Sequence, residues 1–387
     1  MVRVCQCLWF HNLIDMTPDH CPQDMHSHAT DVCIDVRAVW KIFGAREREA
    51  FAAIQSEGLS KQQVLQRFDC VVGVQGVSFT VARGEIFCVM GLSGSGKSTL
   101  LRHINRLLEP TSGAVWVDGQ DVMVLDDTRL RALRNRRMAM VFQDFGLMPH
   151  RNVRDNVAMP LEVRGVARKA RLEAAERALA RVELTGWGER FAHELSGGMQ
   201  QRVGLARAIA ADADILLMDE PFSALDPLIR RQLQTEFMQL AATMKRTTVF
   251  ITHDLEEAVR IGHRVAIMRD GAIVQIGTPE QIVLSPSDAY VADFVAGMSR
   301  LNLLQAHSLM TPLAAYEQAH GAVAADAQLM ADTSVLSRLI EQATTSDTPI
   351  VITNGLGQRV GVITRTDLLR AVVHHEIGQG DPAPTQG

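Results

Sequence analysis

The octet Gly91-Leu92-Ser93-Gly94-Ser95-Gly96-Lys97-Ser98 has the spacing GxxxxGK[ST], a pattern whose chemistry is phosphate binding. Its glycines free successive backbone N–H groups to wrap phosphates at a helix start, where the helix dipole also favours negative charge. Gly91, Ser93, Gly94, Ser95, Gly96, Lys97, Ser98 and Thr99 are the candidate phosphate-binding set. Lys97 is expected to reach the β- and γ-phosphates, and the Ser98 hydroxyl to ligate Mg²⁺. Met218-Asp219-Glu220-Pro221 supplies two carboxylates. Asp219 is placed to hold the metal, directly or through water, and Glu220 to polarise an attacking water. His253, before Asp254-Leu255-Glu256-Glu257, is a candidate donor to the γ-phosphate. Leu195-Ser196-Gly197-Gly198-Met199-Gln200-Gln201-Arg202 opens an Ala-rich helical run, a second anion-binding helix start. Two such starts suggest one nucleotide held between two surfaces.

Three apolar runs must position these groups. Ile86-Phe87-Cys88-Val89-Met90, Ile215-Leu216-Leu217-Met218 and Thr248-Val249-Phe250-Ile251-Thr252 are continuous rather than alternating, so they read as strands buried on both faces. Each ends in a chemically capable residue. In open parallel sheets ligands bind at the carboxyl ends of the strands, so the three endings are expected to converge. An α/β domain is expected over residues 31–285, interrupted at 45–69 by a helical insert. Within that insert Ser60-Lys61-Gln62-Gln63 has the form of a capping box, and Val64 and Phe68 share a helical face. Two readings of the insert stay open: a solvated helical hairpin on the domain edge, or a partner contact.

Residues 286–328 read as a linker, followed by a compact α+β unit at 329–378. That unit is expected to run helix (335–343), strand (349–352), a turn at Gly355 and Gly357, strand (360–363) and helix. Residues 379–387 are Gly/Pro-rich and expected to be loose. Residues 1–30 are expected to be a disordered tail or to lie upstream of the true start. Their apolar stretch is broken by Gln6, His11 and Asn12, against a secretory signal. His20, Cys21, His26 and His28 lack paired metal-ligand spacing, and the six irregularly spaced Cys read as free thiols in a reducing cytoplasm.

A net charge of −5, with 5% aromatics, argues against a nucleic-acid partner, which would need a basic face and stacking platforms. No run of 18 apolar residues is present for a membrane-spanning helix. Only five of the 39 basic residues are Lys, so Lys97 is a sparingly used residue type.

Taken together, the motifs resemble the ATP-binding subunits of ATP-binding-cassette (ABC) transporters across residues 31–285. The resemblance implies an α/β fold with an ABC-type P-loop NTPase core and a helical subdomain. It implies ATP and Mg²⁺ as cofactors, with Glu220, His253, Lys97 and Gln143 catalytic and Ser98, Gln143 and Asp219 at the metal. By the same resemblance, Gln143, in Val141-Phe142-Gln143-Asp144, senses Mg²⁺ and meets the membrane partner. Ser223-Ala224-Leu225-Asp226 crosses between subunits, with Asp226 at the nucleotide, and Phe43 stacks on adenine. Family cassettes pair head to tail, so that Ser196, Gly197 and Gly198 of one read the γ-phosphate held by Lys97 of the other. One copy of each motif implies a homodimer.

A closer resemblance is to importers of glycine betaine, proline betaine and choline. It rests on the long gap from Phe43 to Gly91, on the run from Met140 through Gln143 to Leu147-Met148-Pro149-His150, and on the accessory tail. It implies permease subunits and a periplasmic or extracellular substrate-binding protein as partners, and peripheral attachment at the cytoplasmic face of the cell membrane. The tail resembles a CBS (cystathionine-β-synthase-type) module through Ala331-Asp332 and Val360-Gly361-Val362-Ile363-Thr364-Arg365-Thr366-Asp367-Leu368-Leu369. Such modules come in pairs within one chain, whereas one copy is present here, so the copies of two subunits are expected to pair across the dimer. Thr364 and Asp367 match adenosine-contacting positions of that family; nucleotide binding and a purely structural dimer contact both remain open. The alternative functions are a soluble ABC-type ATPase doing conformational work without a membrane partner, although those usually carry two cassettes or a long coiled-coil insertion, or an importer ATPase for another substrate. A regulatory sensor is disfavoured because every catalytic position is intact.

Overall fold

The computed structural model describes residues 32–373 apart from 224, 297–300, 302–303, 325–326 and 347. The expectations for residues 1–30 and 379–387 therefore lie outside the described residues. Six strands form the central sheet, in the order Ala272–Gly277, Arg264–Arg269, Ile86–Met90, Thr247–Thr252, Ile215–Asp219, Met138–Val141. All neighbours are parallel except the first pair, a hairpin. A second, antiparallel sheet of Val71–Ala82, Val32–Phe43, Ser112–Val117 and Gln120–Asp121 packs on it.

The continuous apolar runs have a direct physical cause. Phe87, Val89, Leu217, Val249 and Ile251 point into the core shared by the two sheets, together with Val36, Val39 and Val115. Their sequence neighbours Cys88, Met90, Leu216, Met218 and Phe250 point to the opposite face and the helices. Because side chains alternate along a strand, a strand covered on both faces needs an apolar residue at every position. Helices Val153–Val163, Arg168–Arg181 and Gly197–Ala211 join the second core through Val157, Leu179 and Val203. Among the described residues no helix is long and apolar enough to cross a membrane.

The insert forms two helices, Glu47–Glu57 and Lys61–Phe68. The second starts at the expected capping box between Ser60 and Gln63 and buries Val64 and Phe68. These side chains join Ile42, Ala50, Ala53, Cys70 and Val72 in a separate small core, so the insert is built onto the edge of the antiparallel sheet. Lys61 Nζ donates to the Asp270 carbonyl, in the turn that supports the phosphate loop.

The C-terminal sheet has the order Thr311–Pro312, Arg359–Ile363, Ile350–Thr353, Leu329–Ala331. Helices Leu336–Thr345 and Arg365–Val373 accompany it, close to the expected spans. Residues 286–328, expected as linker, carry more structure than their pattern suggested. Helix Ala289–Val295 buries Val291 and Val295 against the main core, and Leu304 and Ala306 enter the core of the C-terminal unit. The elements there are two to eight residues long, too short to print a periodicity.

His103, on the helix Lys97–Ile104 after the phosphate loop, is fully buried with Nδ1 2.7 Å from the Leu108 carbonyl oxygen. Burial pulls its pKa from 6.5 down to about 4, with the Leu108 bond opposing and Lys41 adding slightly. The unfolded chain therefore takes up this proton near pH 6.5, and the fold resists it until about pH 4. Stability from this group is complete above pH 6.5 and is lost as pH falls toward 4, by about 3 kcal/mol in all. We expect His103→Asn, whose amide can still donate to the carbonyl, to remove that slope in urea unfolding between pH 7 and pH 4.5. Equal pH slopes for the two proteins would reject the assignment.

Candidate active site

Strand register brings the site together. Met90 lies beside Thr252, and Asp219 beside Ile251, on adjacent parallel strands. Gly91, His253 and Glu220 consequently leave the sheet at one edge, as expected for the carboxyl ends of parallel strands. The loop after Met90 turns tightly. Gly91 has φ +153°, and a Cβ there would lie 2.2 Å from the Met268 carbonyl oxygen. Gly96 has φ +97°, and a Cβ there would lie 2.4 Å from the Gly73 carbonyl oxygen. Only glycine fits at either position. Ser93 and Gly94 stand exposed on the crown, and Thr99 is half-buried in the following helix.

Lys97 is buried and donates to the carbonyls of Gly91 (2.9 Å) and Leu92 (3.0 Å), folding its ammonium over the mouth of its own loop. Burial lowers its pKa, while Glu220 and Asp219 pull it back up. Ser98 Oγ donates to Asp219 Oδ1 at 2.7 Å. Asp219 is fully buried, and among the described residues its Oδ2 has no hydrogen-bond partner; Arg102 Nη2 is 3.9 Å away. Burial pushes this carboxyl above the ordinary range, with Ser98 and Arg102 opposing.

An orphaned carboxylate oxygen beside a hydroxyl is a donor set for a hard divalent cation. Among the described residues there is no group of three or more His, Cys, Asp or Glu that could hold a metal. The set therefore fits Mg²⁺, which takes one or two carboxylates and completes its shell with phosphate and water, better than an ion needing a full protein cage.

Glu220 has φ +47°, a left-handed conformation rare outside glycine, and its N–H donates to the Ile251 carbonyl at 3.1 Å. That kink turns Glu220 out of the strand that buries Asp219, so adjacent carboxylates occupy different environments. Glu220 Oε2 lies 3.1 Å from His253 Nδ1, and the His253 side chain is 60% exposed, open to a ligand from the solvent side. Ser223 Oγ donates to the Glu220 carbonyl at 3.0 Å, fixing the start of the loop that leads to Asp226. Asp226 caps the helix Pro227–Met244 by accepting from the Ile229 N–H.

Among the described residues the other candidates make no hydrogen bond to this cluster. Ser196 caps the helix Gly197–Ala211, accepting from the Met199 N–H, and is exposed with Gly197. Gln143 is exposed just beyond the strand Met138–Val141. Phe43, 40% exposed at the end of its strand, lies under the Lys41 ammonium, 5.5 Å from the ring centroid. Sequence reasoning missed the support beneath the phosphate loop: Gly271 N–H donates to the Ser95 carbonyl, and Gly73 packs under Gly96. The Asp270-Gly271 dipeptide, a hairpin-turn signal, was the available clue.

A family profile described as "ABC transporter" matches residues 74–223. The glycine betaine/proline betaine transport system ATP-binding protein ProV of Salmonella typhimurium is 51% identical over 265 residues. That alignment covers 68% of this chain and 66% of that protein's length, just under two thirds of it. The trimethylamine N-oxide transport system ATP-binding protein TmoW of Pelagibacter ubique is 39% identical over 90% of this chain and 99% of its own. Among solved structures, a post-hydrolysis dimer of the ATP-binding cassette MJ0796 bound to ADP and Pi superposes with a TM-score of 0.56 at 29% identity, over 64% of this chain and 98% of that one. With the motifs, the strand-end geometry and these relatives in agreement, the chain belongs to the family of ABC transporter ATP-binding proteins.

Proposed function

We propose that the chain is the ATP-hydrolysing subunit of an importer of quaternary-amine osmoprotectants: glycine betaine, proline betaine and, within the same class, choline. The observation that carries the reading is the convergence of Lys97, the Ser98–Asp219 pair and the Glu220–His253 pair on one sheet edge. The relatives' names, which include glycine betaine, proline betaine and trimethylamine N-oxide, supply the substrate class. The partners in this reading are a second copy of the chain, multi-spanning permease subunits and an extracytoplasmic substrate-binding protein. The chain sits at the cytoplasmic face of the membrane.

In the mechanism, the N–H groups of Gly94, Gly96, Lys97 and Ser98 cradle the phosphates, and Phe43 stacks on adenine. Lys97 leaves the carbonyls of Gly91 and Leu92 for the β- and γ-phosphates. Ser98, Asp219 and Gln143 would hold Mg²⁺, which would supply neutralisation of the phosphate charge. Glu220 aligns the attacking water and accepts its proton, and His253 donates to the γ-phosphate. Catalysis is positioning plus electrostatics. Ser196, Gly197, Gly198 and Asp226 of the partner subunit close the site while the γ-phosphate is present, and its loss lets the dimer open.

The test is reconstitution of the chain with its permease and binding protein in vesicles. Uptake of labelled glycine betaine, proline betaine and choline is measured alongside ATP hydrolysis and ATP-dependent dimerisation. ATP-dependent uptake of at least one is the expected result. Hydrolysis with uptake of none favours the soluble-ATPase alternative. The same measurements on a chain ending before Leu301 decide whether the C-terminal units pair across the dimer; unchanged dimerisation removes that part of the reading.

A further inference from the structure

Arg207 sits in the middle of the helix Gly197–Ala211, 5% exposed, in the apolar stretch Leu205-Ala206-Arg207-Ala208. Burial lowers its pKa, and among the described residues it has no ion pair with a carboxylate. A buried guanidinium needs acceptors, and this one spends itself on two successive backbone carbonyls. Its Nη1 donates to Gly146 at 2.5 Å and its Nη2 to Phe145 at 3.0 Å. Both carbonyls belong to the loop that carries Gln143.

The loop is strained where Arg207 holds it. Phe145 (φ +60°) and Gly146 (φ +57°) are consecutive left-handed residues. The turn is closed by Phe145 N–H on the Phe142 carbonyl (3.2 Å) and Gly146 N–H on the Asp144 carbonyl (2.6 Å). A Cβ added at Gly146 would meet the Phe142 ring at 3.1 Å and Arg207 Nη2 at 3.4 Å, so the three groups are packed together. A second contact reaches the other end of the helix: a Cβ added at Gly197 would lie 3.7 Å from Phe145 Cζ. The Phe145 ring thus rests against the turn Ser196-Gly197 while its carbonyl is held from the helix middle.

We propose that Arg207 is a positioning residue that joins the Gln143 loop to the helix presenting Ser196, Gly197 and Gly198, so that the glutamine and this turn shift as one body. The inference rests on the role given to Gln143 above and adds the part that transmits its movement. The strand Met138–Val141 anchors the loop's near end to the sheet beside Asp219, and Arg207 anchors its far end to the helix. A displacement at Gln143 therefore has a rigid lever to the surface offered to the partner subunit.

The test is steady-state ATP hydrolysis by the full chain, titrated with ATP and with Mg²⁺, for wild type, Gln143→Ala, Arg207→Lys and the double variant. Lysine keeps the charge but cannot span both carbonyls. Each single variant is expected to lower kcat about tenfold and to raise the Mg²⁺ concentration at half-activity, with KM for ATP changed less than about twofold. The double variant is expected to be no worse than Gln143→Ala alone. Multiplied losses in the double variant overturn the role of Arg207 while leaving that of Gln143 standing. A near-wild-type Gln143→Ala overturns the reading of Gln143 and this inference with it. Should Arg207→Lys not fold, hydrogen exchange of the wild-type chain decides. Residues 143–147 and 197–207 should gain protection together on ATP addition, and independent responses overturn the proposal.

Discussion

Glu220→Gln is expected to bind ATP with near-normal affinity, to dimerise when ATP is added, and to hydrolyse at least about a hundredfold more slowly than wild type. The substitution preserves almost everything the structure asks of this position. The amide has the volume of the carboxylate, the left-handed backbone at φ +47° is untouched, and the N–H bond to Ile251 and the Ser223 bond to its carbonyl are backbone features. One amide oxygen or nitrogen can still meet His253 Nδ1, 3.1 Å away. What is lost is the negative charge and the capacity to accept a proton from water, and neither is needed to hold nucleotide. Asp219, Ser98 and Lys97 keep their mutual geometry because their hydrogen bonds do not involve the Glu220 side chain. The measurement is single-turnover hydrolysis with nucleotide binding and sedimentation on the same sample. Near-normal turnover would remove Glu220 as the proton acceptor, and loss of ATP binding would show that it serves the fold of the loop instead.

The parts of the site that were legible in the sequence are those fixed by local chemistry. A glycine-rich loop, a buried strand ending in Asp-Glu and another followed by His each announce themselves within a few residues, because the strand runs hold apolar residues or threonine in place of the polar alternation of a half-exposed strand. Two-sided burial by a sheet and a helix layer makes that pattern. What stayed hidden depends on residues far apart in sequence. Gly73 and Gly271 support the phosphate loop from the antiparallel sheet and the terminal hairpin; Gly73 carries no motif of its own, and the Asp270-Gly271 turn signal does not name the loop it supports. Arg207 was visible as a charge in an Ala-rich helix, with Val203, Gly204, Ala210 and Ala211 at the neighbouring helical positions and no acid among them. Its partners are backbone carbonyls, which have no sequence signature. The start of the C-terminal unit was missed for a related reason: Leu304 and Ala306 enter its core from segments too short for a periodic pattern.

The remaining large effect separates function from stability at a single side chain. Lys97→Ala is expected to weaken ATP binding by about two orders of magnitude and to abolish hydrolysis, while Tm stays unchanged or rises slightly. Among the described residues the buried ammonium has two carbonyl partners, from Gly91 and Leu92, and no direct ion pair; Glu220 and Asp219 act on it from a distance. Burial lowers its pKa, so the fold disfavours the charged form relative to the unfolded chain, and removing the charge relieves that penalty. The two carbonyls left behind border the exposed crown of the loop at Leu92 and Ser93, where water can replace the ammonium. A residue kept for stability would show the opposite pattern, with folding lost and any binding defect following from it. Isothermal titration with ATP and calorimetric Tm on the same preparation distinguish the two. A variant that binds ATP normally would overturn the assignment of Lys97 to the phosphates, and one that melts well below wild type would mean that its loop carbonyls, rather than the nucleotide, are what the ammonium is there to hold.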